Sequence, residues 1–144
     1  MFSKKFPSHD PGVLALAMLE VNPTLDFTVI DHDTHHWIRE HLKAAGLLND
    51  NVTFVLDDSV AYGKLFTKQV DFLIVDGDHS YQGVTRDIEA WWEHIRTGAY
   101  IFFHDVIDKE MNGTNGVATA LQDCTKNMTL KDNPGISEVY VKND

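Results

Sequence analysis

The chain stops its apolar runs with acids. Phe27-Thr28-Val29-Ile30 ends at Asp31, residues 52–56 end at Asp57 and Asp58, Phe72-Leu73-Ile74-Val75 ends at Asp76, and Tyr100-Ile101-Phe102-Phe103 ends at His104 and Asp105. Each run is short, nearly all apolar, and rich in β-branched or aromatic residues, as expected of strands buried on both faces. Between them the period changes. Residues 11–21 read as a helix, with Asp10 as N-cap and Pro11 in the first turn. Trp37, Ile38, Leu42 and Ala45 recur at helical spacing, with Thr34 as N-cap and Gly46 near the C-terminal end. Residues 59–66 suit a short helix. Tyr81, Val84, Ile88, Trp91, Trp92 and Ile95 trace one helical face, after which Gly98 marks the turn into the next strand. A loop over residues 112–116 precedes a helix carrying Val117, Leu121 and Cys124, and a strand over residues 136–141 closes the chain. No repeat or linker interrupts this alternation. It predicts one α/β domain over residues 1–144, a mainly parallel sheet with helices on both faces.

Composition narrows the partners. Twelve basic residues stand against 22 acidic ones, a net charge of −10, which repels a phosphate backbone. Lys4 and Lys5 form the only basic cluster, so nucleic acid is not expected as a partner. The longest apolar run, residues 13–19, is too short to span a bilayer, and no signal segment opens the chain. No membrane association and a cytoplasmic location are therefore expected. Cys124 is the only cysteine, which excludes an internal disulfide and a four-cysteine zinc site and fits a reducing compartment.

In open parallel sheets, ligands bind beyond the carboxyl ends of the strands, so Asp31, Asp57 or Asp58, Asp76 and Asp105 should share one acidic, histidine-bearing rim. The densest part is Asp76-Gly77-Asp78-His79-Ser80-Tyr81, followed by Phe103-His104-Asp105. Carboxylates from neighbouring strand ends suit a hard cation such as Mg²⁺, with Asp76 and Asp105 as the pair. An imidazole can accept a proton near neutral pH, which makes His79 the candidate base. A plainer account competes: Asp78 or Ser80 caps the Tyr81 helix, and His79 is a turn residue. The His32, His35 and His36 cluster is read as a polar turn with solvent-facing rings, and Trp91 and Trp92 as core.

The stretch from Asp71 to Asp105 resembles class I S-adenosylmethionine-dependent methyltransferases through its Asp-Gly-Asp-His-Ser-Tyr and Phe-His-Asp motifs, Asp87, and Trp91-Trp92. Within them it is most similar to metal-dependent O-methyltransferases that modify sugars and related hydroxyl compounds. The resemblance implies a Rossmann-like, doubly wound fold, S-adenosylmethionine and Mg²⁺ as cofactors, and a small-molecule hydroxyl acceptor. It implies Asp76 and Asp105 as metal ligands and His79 as general base. Asp31 would meet the ribose hydroxyls and Asp58-Ser59 the adenine, although Asp57 replaces the small residue usual before them. Gly12 and Asp76 complete the implied cofactor contacts.

The pattern departs at the start. A Glu-x-Gly-x-x-x-Gly-like loop ending at Gly12 puts Phe6 at the acid and Ser8 at the first glycine, where a Cβ would crowd a positive φ. Residues 1–6, with two adjacent lysines, are a poor central strand. The expectation is a short, irregular strand or an N-terminally truncated domain, whose exposed sheet edges would favour a homo-oligomer. Two alternatives to an O-methyltransferase follow. One is a methyltransferase-like binding module without activity. The other is a metal-dependent hydrolase using Asp76, His79, His104 and Asp105.

Overall fold

The computed structural model describes residues 12–33, 35–107 and 116–144. The expected central strand, Phe6, Ser8, the Asp10 and Pro11 helix start, the Thr34 cap and the loop over residues 112–115 lie outside them. The chain forms two compact units, one up to Asp58 and one from Ser59.

The first unit contains α1 (Gly12–Val21), β1 (Phe27–Asp31), α2 (His36–Ala44) and β2 (Val52–Leu56). β1 and β2 pair in parallel, Phe27 opposite Val52 and Val29 opposite Phe54. Alternation puts these four side chains on one face. Against it pack Ala15 and Leu19 of α1 and Ile38 and Leu42 of α2, the last spaced one helical turn apart. The opposite face is mixed, with Thr28 and Thr53 exposed and Ile30 and Val55 half-buried. Trp37 is 71% exposed and not part of the apolar face, because it lies a third of a turn away from the Ile38–Leu42 stripe. His35, expected to face solvent, turns inward. Its Nε2 lies 2.8 Å from the Val55 carbonyl, its ring packs on Phe54, and its φ of 52° caps α2 in a left-handed conformation. Gly46 ends α2 as expected, at φ 72°.

The second unit contains α3 (Ser59–Gly63), β3 (Val70–Val75), α4 (Tyr81–Trp91), β4 (Ile95–Phe103), α5 (Gly116–Cys124), β5 (Met128–Asp132) and β6 (Glu138–Lys142). The sheet order is β3-β4-β6-β5. β3 and β4 are parallel, whereas β6 runs antiparallel to both β4 and β5. In place of one mainly parallel sheet, the described residues form a parallel pair, β1-β2, and a four-stranded sheet that is parallel in β3–β4 and antiparallel at β6 and β5. β5 has no counterpart in the sequence reading, because Lys131 and Asp132 interrupt its apolar pattern, as suits an edge strand.

Ile95 also needs correction. The helix stops at Trp91, a 3₁₀ turn spans Trp92–His94, and Ile95 already pairs with Val70 as the first residue of β4. Gly98, at φ 80°, lies inside β4, where the register with β3 shifts rather than at a turn preceding the strand. Trp91 is buried against Tyr62, Phe66 and His94. Lys142 of β6 closes this end: its Nζ donates to the Trp92 and Ile95 carbonyls, both at 2.8 Å, and lies 4.3 Å from the centre of the Trp92 ring. Among the described residues no helix is long and apolar enough to cross a membrane.

α5 begins on the backbone of the loop that leads into α4. A Cβ on Gly116 would stand 2.5 Å from the His79 carbonyl oxygen and 2.6 Å from the Ser80 carbonyl carbon. Backbone cannot swing away as a flexible side chain can, so only glycine fits. Gly116→Ala should cost about 1–3 kcal/mol, the range of an overpacked site, and displace the His79 loop. Urea unfolding of both proteins checks it, and an unchanged midpoint would refute the close approach.

Candidate functional site

β3 and β4 are in register to their ends, Val75 opposite Phe103. The His104 amide donates to the Val75 carbonyl at 3.1 Å, so the ladder continues one step past β4. Asp76 and His104 therefore leave adjacent strands side by side, and Asp105 follows with a φ of 51°. That left-handed conformation costs most residues about 1–2 kcal/mol, and Asp is among the few that visit it.

On the other side, the chain between β3 and α4 is held by capping. Ser80 Oγ accepts the Gly83 amide at 3.0 Å, and Asp78 Oδ1 accepts the Ser80 amide at 2.9 Å. The latter bond holds the Asp78 carboxyl below its ordinary range. The plainer account thus holds for Asp78 and Ser80, and His79 between them is an exposed turn residue whose ring also stands near the Asp76 and Asp105 carboxylates. The caps fix the turn that aims His79 back at the strand tips.

Asp76, His79 and Asp105 each present a ligand atom, all within 4.8 Å of one another. His79 Nε2 is 3.6 Å from Asp76 Oδ1, and its Nδ1 is 3.8 Å from Asp105 Oδ2. His104 Nδ1 approaches the same two oxygens more closely, at 3.1 Å from Asp76 and 3.2 Å from Asp105. That nitrogen is buried and yet has no hydrogen-bond partner among the described residues. Burial pushes the Asp76 carboxyl above its ordinary range. His104 and His79 pull it back, and the negative Asp105 adds to the rise. Two carboxylates with one ionisation made costly, beside an orphaned imidazole nitrogen, form a donor set that a divalent cation would satisfy. In sequence, His104 carries a role only in the hydrolysis alternative, and its place in the Phe-His-Asp motif is the signal that points to it.

Of the other expected site residues, Gly12, Asp31 and Asp58 belong to the first unit and Ser59 to the second. Asp31 ends β1, where its Oδ1 accepts the Asp33 amide at 3.0 Å and its carbonyl accepts the Asp57 amide at 3.0 Å, so the β1 and β2 tips adjoin. Asp58 follows Asp57, whose carboxylate accepts its amide at 2.8 Å. Gly12 is the first residue of α1. Ser59 opens α3. Its hydroxyl donates to Asp87 Oδ1 and its carbonyl accepts the Trp91 indole N–H at 3.2 Å, tying α3 to α4.

Comparison with known proteins agrees with the fold. A family model described as a methyltransferase domain matches residues 12–106. An uncharacterized protein of Acanthamoeba polyphaga mimivirus is 27% identical over 97 residues, and the match covers 67% of this chain and 40% of the viral protein. The chain thus spans less than half the length of that relative. The structure is similar to the N-methyltransferase NodS of Bradyrhizobium japonicum, at TM-score 0.66 and 12% identity, covering 92% of this chain and 81% of NodS. NodS is also similar when in complex with S-adenosyl-L-homocysteine, at TM-score 0.62. The O-methyltransferase NovP aligns at TM-score 0.62 and 13% identity, covering 99% of this chain and 55% of NovP.

Asp76 supplies a test of the electrostatics. Because its carboxyl is raised in the fold, its contribution to stability is greatest below its unfolded pKa and is lost as pH rises through the folded value. Asp76→Asn should therefore raise Tm at neutral pH, with an advantage that shrinks as pH falls toward the ordinary value of 3.8. Thermal melts across that window check the sign; a lower Tm at neutral pH would refute it.

Proposed function

The chain belongs to the methyltransferase domain family, and on that premise we propose that it is an S-adenosylmethionine-dependent O-methyltransferase acting on a hydroxyl of a sugar or other small molecule. The observation that carries this reading is the convergence of Asp76, His79 and Asp105 at the tips of adjacent parallel strands. The fold shared with NodS and NovP, named as N- and O-methyltransferases, supports methyl transfer. Two acids and a reachable imidazole favour a hydroxyl as the acceptor.

Asp76 and Asp105 would hold a divalent cation, and carboxylates alone would suit Mg²⁺. Such an ion supplies Lewis acidity, lowering the pKa of a hydroxyl that it touches. His79 is partly open to solvent, so an acceptor can reach its ring. It would take the hydroxyl proton at Nε2 as general base. By the resemblance, Asp31 would meet the ribose hydroxyls of S-adenosylmethionine, and Gly12, Asp58, Ser59 and Asp76 would each contribute a further contact to it. Alignment of the acceptor oxygen with the methyl group supplies much of the remaining acceleration.

Calorimetry with S-adenosylmethionine or S-adenosylhomocysteine should show binding that Asp31→Ala weakens. With hydroxylated sugars or catechols and a divalent ion, methyl transfer should fall by about 10²–10⁴ in His79→Ala, the usual worth of a general base. No binding at millimolar cofactor defeats the proposal. Binding without transfer would leave a binding module, and phosphoester hydrolysis would point to a hydrolase.

A further inference from the structure

We infer that His104 is the third inner ligand of this ion site, through Nδ1, and that the site is consequently built for a divalent transition ion such as Mn²⁺ or Co²⁺ rather than for Mg²⁺. The inference rests on the reading that Asp76 and Asp105 hold a cation, and it goes beyond it by naming a ligand and the class of ion.

Distances carry the argument. Donor atoms on neighbouring corners of an octahedron with bonds of about 2.1 Å stand roughly 3.0 Å apart. His104 Nδ1 lies 3.1 Å from Asp76 Oδ1 and 3.2 Å from Asp105 Oδ2, matching two such edges. His79, although within 4.8 Å of both acids, faces them through different nitrogens, Nε2 at 3.6 Å from Asp76 and Nδ1 at 3.8 Å from Asp105, both longer than such an edge. The two histidines therefore divide the work. His104 belongs inside the coordination sphere, whereas His79 stays outside it with a free lone pair, as a proton acceptor requires.

The surroundings of Nδ1 agree. It is buried, yet makes no hydrogen bond to any described residue, although two carboxylate oxygens lie within ordinary bonding distance. Such a separation without a bond means that neither oxygen lies along the axis of the ring nitrogen. A doubly hydrogen-bonded imidazolium would satisfy itself by pointing at one of them. A nitrogen whose axis misses both oxygens, while touching both, is placed to share a third atom with them. Buried polar atoms without partners are rare, and an ion is one established reason for them. Imidazole beside carboxylates suits Mn²⁺, Co²⁺ or Zn²⁺, whereas Mg²⁺ favours oxygen donors alone.

The test uses the full chain loaded with Mn²⁺, without cofactor or acceptor. Pulsed electron paramagnetic resonance should show coupling to a directly bound ¹⁴N that persists in His79→Ala and disappears in His104→Ala. Calorimetry should show His104→Ala weakening Mn²⁺ by about tenfold or more, at least what loss of an outer-shell partner costs, with a smaller change for Mg²⁺. His104→Asn, which places an amide near the Nδ1 position, is the second variant should His104→Ala unfold, and it should likewise abolish the nitrogen coupling. Bound Mn²⁺ without nitrogen coupling, or coupling lost in His79→Ala and kept in His104→Ala, overturns this assignment alone. No binding of Mn²⁺ or Mg²⁺ overturns it together with the ion in the proposed function. Failure of methyl transfer with Mn²⁺ still coupled to nitrogen counts only against the transferase reading.

Discussion

The candidate site depends on one pairing, the parallel register of β3 with β4. Because Val75 faces Phe103 and the His104 amide donates to the Val75 carbonyl, the residues just beyond the two strands emerge together. An antiparallel pair would send one of these ends to the opposite edge of the sheet. The sheet fixes the backbone, and the glycine start of α5 and the Ser80 cap then fix the loop bearing His79. Rigid elements set the position of each donor, which is what a site with small geometric tolerances needs.

The second theme is charge. The chain carries a net charge of −10, and two of its acids stand together at the strand tips with two imidazoles against them. Folding drives up the Asp76 pKa by removing water from it. Such a concentration of carboxylates costs stability in the free protein and is the usual mark of a site that exchanges this cost for binding. The raised carboxyl, the left-handed Asp105 and the orphaned His104 nitrogen are separate departures from comfortable structure, and they fall at one place. Function is the common reason for such clustering.

Much of this was legible in the residues. The apolar runs at Phe27, Val52 and Phe72 became strands, since continuous β-branched and aromatic segments leave few other options. The Asp76–His79–Asp105 group was readable because parallel strands expose their carboxyl ends together. What escaped depended on register and packing. Ile95 fits a helical face by spacing, but pairing with Val70 claims it for a strand. Trp37 looks like core by type, yet the Ile38–Leu42 stripe already fills that face. β5 is hidden by the charges that protect an edge. His104 reads as a neighbour of Asp105, and only coordinates reveal that its ring is nearer the two acids than that of His79.

The left-handed Asp105 also shapes how this protein can decay. Single-nucleotide changes convert an aspartate codon to asparagine or glycine, both of which accept that backbone angle readily. Either mutation removes an anionic donor while sparing, or even easing, the local conformation. A chain so altered would lose part of its charge cluster and keep an intact scaffold, available for recruitment to another task.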